Sequence, residues 1–95
     1  MKGKTKDGLR LSDIISAVEN INGITIRAGT RHPYVLEYTG LRECALAEST
    51  HAKHMIVPWV KKVLNNYSGI NYDNNLIYNG LRNGKINLDS YSGGK

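Results

Sequence analysis

The side chains of this 95-residue chain best suited to chemistry near neutral pH are its three histidines and a scatter of lysines. A histidine titrates near pH 6.5, at about the point where it can give or take a proton. His32 follows a permanent cation, Arg31, in the run Gly29-Thr30-Arg31-His32-Pro33-Tyr34. His51 and His54 frame a lysine in His51-Ala52-Lys53-His54. Histidines three apart can share a helix face and bind a metal, but two ligands are too few for a closed site. His32 would have to approach them to make a third, so the reading is that no metal and no cofactor is required. The chain has no phosphate-cradling glycine loop, no paired-carboxylate signature and no cysteine cluster. Cys44 is the only cysteine, and its place in an alternating run marks it as a small buried hydrophobe. Glu37, Glu43 and Glu48 are spaced as exposed strand charges.

Charge supplies a second set of candidates. The net charge is +5, and residues 1–10 hold Lys2, Lys4, Lys6 and Arg10 against a single acid, Asp7. Residues 11–69 and 70–95 are each close to neutral. Lys2, Lys4 and Lys6 could contact phosphates. The same composition also suits a solvated, flexible tail. Lys61 and Lys62 could extend a basic surface with Arg27 and the N-terminal lysines, or simply form a solvated helix face. Trp59 falls on an apolar stripe and reads as core.

Elements must hold these residues in place. Leu11, Ile14, Ile15 and Val18 fall on one helical face, so Leu11–Ile21 reads as a helix with Ser12 as its N-cap. Asn22-Gly23 stops it. Residues 24–28, 34–38 and 43–48 alternate as strands, with Cys44 and Leu46 facing inward, and short turns join them into an antiparallel meander. After a polar, His-rich connection over 49–55, a helix begins near Val57 with Pro58 in its first turn. Its stripe is Ile56, Trp59, Val60, Val63, Leu64 and Tyr67, and Ser68-Gly69 ends it. Leu76–Leu81 and Lys85–Leu88 flank Asn83-Gly84, which reads as a hairpin over 76–88.

The expected fold is α+β in the order α-β-β-β-α: a three-stranded antiparallel sheet with two helices on one face. The domain spans 11–69, preceded by a basic flexible tail over 1–10. An Asn/Gly-rich extension over 70–95, with its optional hairpin, follows it. No run approaches the roughly 18–20 apolar residues that cross a bilayer, and residues 1–10 lack the apolar run of a signal peptide. A lone cysteine fits a reducing, cytoplasmic setting.

This order is also that of double-stranded-RNA-binding domains. More specifically, residues 11–69 resemble the HicA family of small mRNA-cleaving toxins, which share that fold. The resemblance is carried by the first helix, the segment Gly29–Tyr34 opening the second strand, and Val57-Pro58 before the last helix. It implies a metal-independent endoribonuclease restrained by an antitoxin-like protein partner. In the family the catalytic histidine usually follows Gly-Ser/Thr directly. Here Arg31 stands at that position and His32 comes one later. A one-residue shift along a strand turns a side chain to the other face.

Metal-free RNA cleavage needs a base for the ribose 2′-OH, an acid for the leaving 5′-oxygen and positive charge near the phosphate. The resemblance makes His32 the catalytic candidate and Arg31 its phosphate-facing neighbour. Tyr34 could stack on a base or position water. His51, Lys53 or His54 could supply the acid or a phosphate contact. The alternative is a non-catalytic nucleic-acid-binding or assembly protein of a virus or mobile element on the same fold. RNA is the expected partner, no membrane partner is expected, and a homodimer is an open assembly.

Overall fold

The computed structural model describes residues 3–30, 33–69 and 71–86, except the side chains of Tyr67 and Ser68. Helix α1 spans Leu11–Val18, followed by strands β1 (Thr25–Ala28), β2 (Tyr34–Glu37) and β3 (Cys44–Leu46). A π-helical turn, Ala52–Ile56, leads into α2 (Val57–Ser68), and α3 covers Asn74–Asn83. The sheet has the order β1-β2-β3 and is antiparallel throughout. The α+β fold and the α-β-β-β-α order are those expected from the sequence.

Register explains which strand residues are buried. Ile26, Leu36 and Cys44 form one cross-strand row, and Ala28, Tyr34 and Leu46 form another. Both rows face the helices. Leu36, Cys44 and Leu46 share the core with Leu11, Ile14 and Val18 of α1 and with Val60, Val63 and Leu64 of α2. Burying each large aliphatic side chain contributes about 1.5–3 kcal/mol. The intervening row, Arg27, Val35 and Ala45, lies on the other face. Val35 is buried there but stands apart from the main core.

Three sequence expectations need correction. Residues 76–83 are not half of a hairpin but part of α3, which packs against both α1 and α2. Residues 87–88, the end of the expected second strand, lie outside the described residues. Ile77, Gly80 and Leu81 are buried at helical spacing, and Asp73 caps the helix by accepting the Asn75 N–H at 2.9 Å. Asn83-Gly84 is the helix end. Gly84 takes the left-handed conformation (φ 82°), and the Lys85 N–H donates to the Gly80 carbonyl. Gly80 is required for packing: a Cβ there would sit 2.6 Å from Ile86 Cγ1 and 2.8 Å from Ile86 Cα.

The second correction concerns the N-terminus. Residues 3–10 are not a free tail. The Thr5 N–H donates to the Leu9 carbonyl, and the Lys6 N–H to the Thr50 carbonyl. Thr5 and Leu9 are buried, so an apolar anchor outweighs the local charge. Residues 1 and 2 lie outside the described residues. Third, Ser12 is not the cap of α1. Leu11 is already helical, and its N–H donates to the Gly3 carbonyl. The folded-back N-terminus therefore satisfies one of the N–H groups at the start of α1 that have no partner within the helix.

No helix among the described residues is long and apolar enough to cross a membrane.

Candidate functional site

The pairing of Ala28 with Tyr34, and of Tyr34 with Leu46, brings three strand ends together at one end of the sheet. The connection that carries Arg31 and His32 starts from Ala28 and returns at Tyr34. Arg31 and His32 themselves lie outside the described residues, as does Lys2. From Leu46 the chain turns, with the Thr50 N–H donating to the Ala47 carbonyl, and reaches His51. Tyr34 is half-buried and packs against the core, so only part of its ring is open for stacking.

The π-helical turn presents Lys53 and His54, with His51 just before it, and all three are exposed. The His51 and His54 rings lie 5.8 Å apart at their centroids. Asp7 fastens this turn. Its Oδ1 accepts the Ala52 N–H and its Oδ2 the Lys53 N–H, each at 2.9 Å, while the Thr5 hydroxyl donates to Oδ1 at 2.6 Å. Partial burial opposes the charge of Asp7. The donors from Thr5, Lys53 and Ala52 outweigh it and hold the carboxyl below its ordinary value. The same N-terminal loop sets Lys6 beside Thr50 and pairs Lys4 with Arg10. Lys6, His51, Lys53 and His54 therefore belong to one region of the surface. Among the described residues no group of three His, Cys, Asp or Glu side chains gathers around a metal position.

Lys61 and Lys62 lie elsewhere. They line a groove of about 810 Å³ between α2 and the β2–β3 turn, whose residues Thr39, Gly40 and Leu41 form one wall. That turn is at the end of the sheet opposite Ala28 and Tyr34. Asn65 and Asn66 of α2, with Asn71 from the α2–α3 connection and Asn74 at the start of α3, complete the polar lining. Asn66 Nδ2 donates to the Tyr38 hydroxyl at 3.0 Å. The asparagines were not among the sequence candidates, although the density of Asn in the second half of the chain was their visible signal.

Arg27 does not join a basic surface with these lysines. Its Nε lies 3.0 Å from Glu37 Oε2 and its Nη2 2.6 Å from Glu43 Oε2 on the outer face of the sheet. Hydrogen bonding to Glu37 raises its pKa further. Burial pushes the Cys44 thiol up to about 11, which leaves it protonated and unreactive. Trp59 is core, as its stripe position suggested, and its indole N–H donates to the Arg42 carbonyl at 2.6 Å. Comparison with protein-family models, curated proteins and solved structures finds no match for this chain.

Proposed function

We propose that this chain is an RNA-acting protein of the HicA-like kind, a metal-independent endoribonuclease in which His32 moves the proton and Arg31 faces the phosphate. One observation carries the reading: the strand ends that bracket Arg31 and His32 share the end of the sheet from which the chain runs directly to His51, Lys53 and His54. Two histidines and a lysine that follow this end of β3 in the chain suit a reaction that needs an acid, a base and positive charge. An antitoxin-like protein would restrain such an activity in the cell.

The test is cleavage of RNA by the full chain in chelator, wild type against His32→Ala. Cleavage by the wild type alone supports the reading. Equal cleavage by both, or none by either, overturns the catalytic role.

A second reading, a nucleic-acid-binding module without catalysis, is favoured by one feature. The rings of His51 and His54 are exposed, and among the described residues no hydrogen bond from a neighbouring side chain orients either of them. Catalytic histidines are ordinarily held by such a partner. Salt-dependent RNA binding with no cleavage would select this reading.

A further inference from the structure

We infer that the groove between α2 and the β2–β3 turn binds a single-stranded segment of RNA, with Lys61 and Lys62 on its phosphates and the asparagine amides on its base edges. The inference rests on the RNA-acting reading and adds a site and a strandedness to it.

The lining chemistry is specific. Lys61 and Lys62 give the groove positive charge, and no carboxylate lines it among the described residues. Phosphate oxygens accept hydrogen bonds and donate none, so two lysines already meet their needs. Each asparagine side chain both donates and accepts. Asn65 and Asn74 therefore suit a ligand that has donors and acceptors close to an anion, which describes a nucleobase on its phosphodiester. Leu41 and Pro58 supply apolar surface for the face of a base.

Shape separates a single strand from a duplex. In duplex RNA the major groove is too deep and narrow for side chains to read, and the Watson–Crick edges are paired. Amides lining a groove can meet the Watson–Crick edge of an unpaired base that enters it, whereas a duplex offers such a surface only its wide, shallow minor groove. The groove is also distinct from the sheet end that brackets His32, because the β2–β3 turn lies at the opposite end of the strands.

The test uses the full-length His32→Ala chain, so that the probe stays intact during titration. The anisotropy of a labelled mixed-sequence single-stranded RNA is compared with that of the same strand annealed to its complement. The single strand is expected to bind at least about tenfold more tightly. Asn65→Ala with Asn74→Ala should weaken single-strand binding about tenfold, the scale of one lost bidentate base contact. Lys61→Ala with Lys62→Ala should reduce the salt slope by about 0.7 for each phosphate contact removed. Asn74→Asp is the control for folding: an acid at the first residue of α3 favours the helix dipole, so stability should hold or rise while RNA affinity falls. Equal or preferential binding of duplex, or asparagine variants with unchanged affinity, overturns the groove and leaves the RNA-acting reading standing. Binding of neither RNA overturns both.

Discussion

Asp7 accepts the backbone N–H of Ala52 across 45 positions of sequence, and through this bond and its twin to Lys53 the N-terminal loop holds the turn that presents His51 and His54. A charged acceptor at this point satisfies donors that a helical start otherwise leaves to water. It also ties the basic N-terminal residues to the histidine pair.

Asp7→Ala should therefore destabilise the protein by about 1–2 kcal/mol, the usual scale for losing a capping carboxylate. The pH dependence follows from the sign of the shift. The folded pKa of Asp7 lies below its ordinary 3.8, so its contribution is complete above that value and is lost as pH falls through the folded pKa. Urea denaturation of wild type and Asp7→Ala at neutral and acid pH measures this. The gap between them should be full at pH 7 and close only in strong acid.

Gly80→Ala tests α3 against the local propensity of its residues. In an isolated helix the change is favourable by about 1 kcal/mol. Here the new methyl would meet the Ile86 backbone at 2.8 Å as well as its side chain, and a backbone contact cannot relax cheaply. A net destabilisation of about 1–3 kcal/mol is expected, the range for overpacking. A melting temperature that rises instead would show that residue 86 does not pack there.

Arg27→Ala should change stability little, because both of its ion pairs are exposed and screened by solvent. Its charge is already matched by Glu37 and Glu43, so RNA affinity should change little. Lys61→Ala, measured beside it in the same binding assay, should lose affinity. An Arg27→Ala protein that lost as much would place RNA on the open sheet face.

The thiol of Cys44 should resist a soluble disulfide reagent at pH 8 in the native protein and react fully once denatured. Burial and a pKa of about 11 both suppress the thiolate. Rapid native labelling would mean that the β3 edge opens.

The sequence by itself determined the elements whose signals are local. The stripe of Leu11, Ile14 and Val18 predicts α1, and Pro58 marks the first turn of α2 where the structure has it. Alternation put Cys44 and Leu46 on the inner face, where both are buried. These patterns are legible because 3.6-residue and two-residue periods are written in neighbouring residues. Tertiary structure decided the rest. Asn83-Gly84 suits a hairpin turn and a helix end equally, since both need a left-handed residue, and only packing against α1 and α2 selected the helix. Arg27 looked like a free cation until register and the β2–β3 turn brought Glu37 and Glu43 beside it. The N-terminal lysines looked like a tail until Thr5, Asp7 and Leu9 found partners in the core and at Ala52. Each of these outcomes depends on contacts between residues far apart in the chain, which no local period encodes.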